Sequence, residues 1–170
     1  MSEQNINIQL IDYIKENLTG DTQKNALNFV QHLISIGMTA KGSINDGKFV
    51  YKGVTVCNTY FGSSSHNPGY PEPYTIWTTK NADFGKEIES VPFNSRMKEI
   101  AWENVETCDP HCPQHSSRTW CQGSATKVIF GRKFDNLCAP VYFTCDPNAD
   151  AIECAVKLME MRKYQIDTAE

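Results

Sequence analysis

The sequence predicts an α+β fold: an antiparallel sheet laid out as a meander, packed by two N-terminal helices, a middle helix and a C-terminal helix, with a metal-binding loop rich in Cys and His. Three observations predict it. Apolar residues recur at helical spacing near both ends and again near position 100, whereas the stretch from Asn45 to Thr79 alternates with period two between Gly, Asn and Pro punctuation. Strands that follow one another directly, with helices before and after, belong to α+β and not to alternating α/β domains. The third observation is the concentration of four of the chain's seven cysteines between Cys108 and Cys138.

Taken in order, Ile11, Ile14 and Leu18 share one face of a helix over Ile8 to Leu18, and Gly20 stands where a helix commonly ends. Asp21 or Thr22 then caps a second helix, whose stripe of Ala26, Phe29, Val30, Leu33 and Ile36 stops before Gly37. The meander follows: Phe49 to Tyr51, a turn at Lys52-Gly53, and Val54 to Cys57 continuing to Phe61. Gly62 to Pro73 is too rich in Ser, Gly and Pro for a strand and reads as a long exposed loop, after which Tyr74 to Thr79 forms the next strand.

Asn94 or Ser95 caps the middle helix, with Met97, Ile100, Ala101 and Val105 inward, and that helix runs into Cys108. Val128 and Phe130, a turn at Gly131, and Phe134 read as strand and turn, and Val141 to Phe143 as a further strand. Asp146 caps the last helix with Pro147 in its first turn, and Ile152, Ala155 and Met159 beside Ala151, Cys154, Leu158 and Met161 give that helix a wide apolar face.

Length and composition fit one domain over residues 1–170, with a helical pair in 1–37 and the α+β core, carrying the cluster of 108–138, in 38–170. A net charge of -4 and a pI near 5.6 argue against nucleic acid, whose phosphates need clustered Lys and Arg. The N-terminal residues lack a basic region followed by an apolar one, and no stretch approaches the roughly 18 apolar residues of a membrane span, so the expected location is the cytoplasm. In that reducing compartment, an odd number of cysteines points to metal binding or redox chemistry and away from a disulfide framework.

The run Cys108-Asp109-Pro110-His111-Cys112-Pro113-Gln114-His115, followed by Cys121 and Cys138, supplies soft and borderline ligands of the kind that zinc takes tetrahedrally. The expected ligands are Cys108, Cys112, Cys121 and Cys138, with His111 or His115 as a substitute, around a structural zinc ion. A catalytic zinc would require an open position and a general base, and neither the His-Glu-x-x-His pattern nor the deaminase pattern is present. Aromatic residues with polar handles suggest a pocket formed by Tyr60, Trp77 and Trp102, with His66 and Tyr70 from the long loop.

The blocks Phe49 to Cys57, Glu99 to Val105, Ile129 to Cys138 and the helix from Ile152 to Lys163 resemble a group of small uncharacterised bacterial proteins, chiefly from anaerobic Firmicutes, over roughly Thr39 to Lys163. In that group cysteines follow the Trp-containing helix, which implies that Cys108, Cys112, Cys121 and Cys138 act as a unit. His111 and His115 depart from that pattern and leave the ligand set open. The strand and turn pattern also resembles small α+β domains that bind ligands or accompany transcription regulators. Two functional expectations result. One is a non-enzymatic, zinc-stabilised binding or sensing module for a small molecule or partner protein. The other is a thiol-based enzyme or redox sensor using Cys112 or Cys121, with His111 or His115 lowering the thiol pKa.

Overall fold

The computed structural model describes residues 3–44, 46–61, 74–78, 88–108, 123–139, 144–145 and 149–169. The first apolar stripe forms α1, Glu3–Asn17, which starts five residues earlier than the spacing indicates and buries Leu10 and Ile14. Gly20 does not end that helix but opens the next, α2, Gly20–Ser35. Neither Asp21 nor Thr22 caps α2; Thr19 holds the N-cap position and makes no side-chain cap bond. The junction is closed from the other side, because the Gln23 side chain donates to the Lys15 and Leu18 carbonyls at 2.9 and 2.6 Å and satisfies groups that the end of α1 leaves open.

Among the described residues, five antiparallel strands form the main sheet in the order β1-β2-β3-β4-β7. They are β1 (Thr39–Gly42), β2 (Asp46–Tyr51), β3 (Val54–Phe61), β4 (Tyr74–Thr78) and, added after the rest, β7 (Thr144–Cys145). The edge strand β1 carries little β-forming sequence and was not foreseen; its pairing with β2 and the bond from the Ala40 amide to Asn7 Oδ1 at 3.0 Å hold it in place. Lys52 and Gly53 turn β2 into β3, both with positive φ, as two-residue hairpins require. Val56 is the extra residue of a bulge, since Phe49 pairs with Cys57 and Val50 with Thr55, and both Val56 and Cys57 are buried.

Gly47 sits where backbone meets backbone. A Cβ there would lie 2.8 Å from the Ser43 carbonyl oxygen and 3.2 Å from that of Lys41. Gly47→Ala is therefore expected to lower stability by about 1–3 kcal/mol, read as an earlier denaturation midpoint at unchanged slope.

A separate two-stranded sheet, not a continuation of the meander, is made by β5 (Ser124–Ile129) and β6 (Arg132–Cys138). Phe130 belongs to its turn and not to the strand, at φ +49 beside Gly131 at +76. The cost of that conformation for a bulky residue is offset by burial against Phe93, ring centroids 4.9 Å apart. The middle helix is α3, Ser95–Glu103, capped as expected by Asn94, whose side chain accepts from the Met97 amide at 2.9 Å. It ends at Glu103, so Val105 lies beyond it. The expected strand Val141 to Phe143 and the expected cap Asp146 fall outside the described residues.

The last helix, α4 (Ala149–Thr168), buries Ala151, Ile152, Cys154, Ala155, Leu158 and Met159 and packs against α2, α3, β3 and β7. Its far end is tied to the β2–β3 hairpin: the Tyr51 hydroxyl donates to Asp167 at 2.9 Å, and the ammonium groups of Lys163 and Lys52 stand 2.6 and 3.1 Å from the same carboxylate. Hydrogen bonds from Lys163 and then Tyr51 hold the partly exposed Asp167 carboxyl down at about 2. One apolar cluster runs from Leu10 in α1 through Phe49, Cys57, Ile100 and Leu137 to Met159 in α4. Among the described residues, no helix is long and apolar enough to cross a membrane.

Candidate metal centre

The small sheet positions the two described cysteines of the cluster. Along β6 the pairing steps from Lys127↔Phe134 to Ala125↔Leu137, which leaves Asp135 and Asn136 together opposite Thr126. Asn136 takes φ +61, a conformation that Asn tolerates better than most other residues with a side chain. The bulge inverts the alternation, so that Phe134 and Leu137, three apart, both pack inward, with Leu137 only 1 % exposed. In a regular strand Cys138 would share the side of Phe134 and face the core. The bulge turns it out.

The free edge of β6 takes up the chain that leaves α3. Thr107 bridges Leu137, the Cys108 amide donates to the Asn136 carbonyl at 2.9 Å, and the Cys138 amide donates to the Glu106 carbonyl at 2.9 Å. Asn136 also reaches the Cys108 carbonyl through Nδ2 at 3.4 Å. Residues on either side of a bridged pair share the opposite face, which makes Cys108 and Cys138 diagonal neighbours, with Cα atoms about 7–8 Å apart. Both thiols are half-buried and neither is in a disulfide.

Lys127 completes the electrostatics. It sits on the inward row of β5 with Ala125 and Ile129, and its ammonium donates to the Cys138 carbonyl at 2.6 Å. Burial pushes the Lys127 ammonium down to about 8, against a smaller opposing electrostatic pull from Cys138. Sequence reading missed both Lys127 and Asn136. A lysine alternating with Ala125 and Ile129, and an Asp135-Asn136 pair inside a strand pattern, are the signals that could have found them.

Of the expected ligands, His111, Cys112, His115 and Cys121 lie outside the described residues, and among those described no three His, Cys, Asp or Glu side chains converge on one point. Both ends of segment 109–122 are held beside the end of β6, through Cys108 as above and through the Gly123 carbonyl, which accepts from the Ala139 amide at 3.0 Å.

His66 and Tyr70 are outside the described residues. Tyr60 pairs with Thr75 and Asn58 with Trp77, so positions 60 and 77 are diagonal neighbours on the sheet face opposite Cys57 and Thr59. Trp102 serves packing: its indole N–H donates to the Ile129 carbonyl at 2.8 Å, and the Arg132 guanidinium stacks between its ring and that of Phe134, at 5.5 and 4.9 Å. An unforeseen polar cleft of about 320 Å³, lined by Arg96, Ile100, Glu103, Asn104, Ala149 and Asp150, opens between α3 and the start of α4.

The bulge carries a testable consequence for the cysteine pair. Asn136→Gly is expected to leave stability and the Cys108 environment close to the parent, whereas Asn136→Val, which resists positive φ, is expected to cost about 1–2 kcal/mol or more. Chemical denaturation and the amide chemical shift of Cys108 measure the two effects.

No family model matches this chain, and neither the curated proteins nor the solved structures include a detectable relative.

Proposed function

We propose that the chain is a zinc-stabilised binding or sensing module, without enzymatic activity, in which Cys108, Cys112, Cys121 and Cys138 hold one zinc ion and His111 or His115 replaces a cysteine if the ligand set is mixed. One observation carries the reading: two thiols thirty positions apart in sequence are placed on adjoining chains, on one face, by a bulge that keeps Cys138 out of the core. The chain connectivity supports it, because Cys121 is two peptide links, at most about 7.6 Å, from Gly123. Such a centre would join the segment after α3 to the hairpin and fix the two flanks of β6.

The ligand of the module is a small molecule or a partner protein, and the sheet face that carries positions 60 and 77 is its proposed docking surface. The proposed location is the cytoplasm.

The discriminating experiment is a titration with a thiol reagent, with and without chelator. Zinc-bound cysteines react only after the metal is stripped, so the proposal expects a group of thiols that becomes reactive on chelation. Immediate reaction of a single cluster thiol, unaffected by chelator, would select the thiol-based enzyme or redox sensor instead.

A further inference from the structure

We infer that the side of the molecule where α3 meets the turn of the β5–β6 hairpin is a docking surface for an acidic segment of a partner protein, with Arg132 as its carboxylate anchor and Lys98 as a second positive charge. This surface is separate from the sheet face that carries positions 60 and 77, and it does not depend on the metal centre.

Aromatic rings hold both cations. Arg132 pairs with the buried Ile129 and shares a face of the hairpin with Phe134, two residues on. Its guanidinium carbon lies 4.9 Å from the Phe134 ring centre and 5.5 Å from that of Trp102, which comes from α3. One helical turn before Trp102, the Lys98 ammonium stands 5.9 Å from the centre of the Phe130 ring, in the hairpin turn itself. Arg132 is exposed, and Lys98, Trp102 and Phe134 are half-buried. Among the described residues, no carboxylate forms an ion pair with either cation and no acceptor takes a hydrogen bond from either side chain. The carboxylates nearby are engaged elsewhere: Glu89 accepts from the Gly131 amide at 3.0 Å, Glu99 faces Arg96 at 3.7 Å, and Asp135, on the opposite face of β6, faces Lys133 at 3.3 Å. A guanidinium kept between two rings has already lost much of its rotamer freedom, so a carboxylate that takes both arms of the fork immobilises little more. Arginine backed by tryptophan is also the kind of anchor that dominates interface energetics. In a chain of net charge -4, this pair of aromatic-backed cations is complementary to acid. A carboxylate-bearing peptide fits it better than nucleic acid does, because two cations are too few to track a phosphate backbone that the chain as a whole repels.

The test follows the fluorescence polarisation of a dye-labelled hexaglutamate peptide against the full chain at low ionic strength, for the parent, Arg132→Gln, Arg132→Lys, Lys98→Gln and Lys133→Gln. The last variant removes the same charge from the next residue of β6, on the opposite face. The parent is expected to saturate, and Arg132→Gln to weaken binding about 10–30-fold, as for an arginine at the centre of an interface. Arg132→Lys, which lacks the planar fork, is expected to recover little of that loss. Lys98→Gln is expected to cost about 2–5-fold, and Lys133→Gln to stay within about twofold of the parent. Circular dichroism establishes that each variant is folded. The Arg132 Nε–Hε resonance of the parent, read by NMR, needs no variant and is expected to move as the peptide is added. No saturable binding by the parent, equal losses in Arg132→Gln and Lys133→Gln, or an Arg132 resonance unmoved at saturating peptide would each overturn the inference. A hexauridylate that binds more tightly than the peptide and is lost in Arg132→Gln would overturn it in favour of nucleic acid.

Discussion

Stripping the proposed zinc ion from the folded protein with a strong chelator is expected to lower its melting temperature by roughly 20–40 °C, enough to abolish the cooperative transition near room temperature. The size follows from two magnitudes. Structural zinc supplies on the order of 10 kcal/mol of folding free energy, and a domain of this length shifts by about 2–4 °C per kcal/mol. Net stability of a whole domain is only about 5–15 kcal/mol, so loss of the ion is comparable with all of it. The damage should begin where the chain depends on the centre: the β5–β6 hairpin, whose hold on the main body among described residues runs through Ile129, Phe130, Leu137 and Trp102, and the bridge at Thr107. Cys138→Ala should reproduce most of the loss and make the protein insensitive to chelator. Calorimetry of parent and variant, each with and without chelator, gives all four values.

The second large effect belongs to the main sheet. Phe49→Ala is expected to cost about 3–5 kcal/mol, because the deletion removes transfer free energy and leaves a cavity that close-packed neighbours fill only in part. Phe49 is fully buried, stands opposite the equally buried Cys57, and lies in the cluster that joins the sheet to α2 and α4. The neighbouring Lys48 is exposed on the same strand, and Lys48→Ala should stay within about 0.5 kcal/mol of the parent. Denaturation midpoints of the two variants test the expected face of β2 directly, since a register slip by one residue would exchange their effects.

Long apolar stripes were the legible part of this chain. Ala26, Phe29, Val30 and Leu33 of α2 and six of the seven buried positions of α4 were readable because a helix repeats its pattern over several turns, and the local errors at its ends do not disturb the face. The two hairpin turns were readable too, since Lys52-Gly53 and Gly131 announce positive φ in their residue types. What depended on a single residue was not readable. The bulges at Val56 and Asn136 shift the alternation by one position; nothing in the composition of β3 marks the first, and only the Asp135-Asn136 pair marks the second. β1 is four residues long and contains Lys41 and Gly42, so its strand character comes from its partner. The detachment of β5 and β6 from the meander is decided by long-range pairing, which period-two patterning does not encode.

At the candidate centre, the density of cysteines and histidines did not show that Cys108 and Cys138 come to adjoining chains. That meeting is made by backbone: two amide bonds across β6 and an asparagine in a left-handed conformation. Lys127 was hidden because a lysine in a strand pattern is ordinarily a solvated residue, and only the position of its ammonium beside Cys138 distinguishes it.

The central claim is that cysteines from separate turns share one divalent ion, and a native mass spectrum of protein purified without an affinity tag tests it most directly. The account predicts a folded species carrying one zinc per chain, which shifts to the mass of the bare polypeptide, with a broader and higher charge distribution, when chelator is added. A folded spectrum of bare polypeptide, unchanged by chelator and by added zinc, would contradict it.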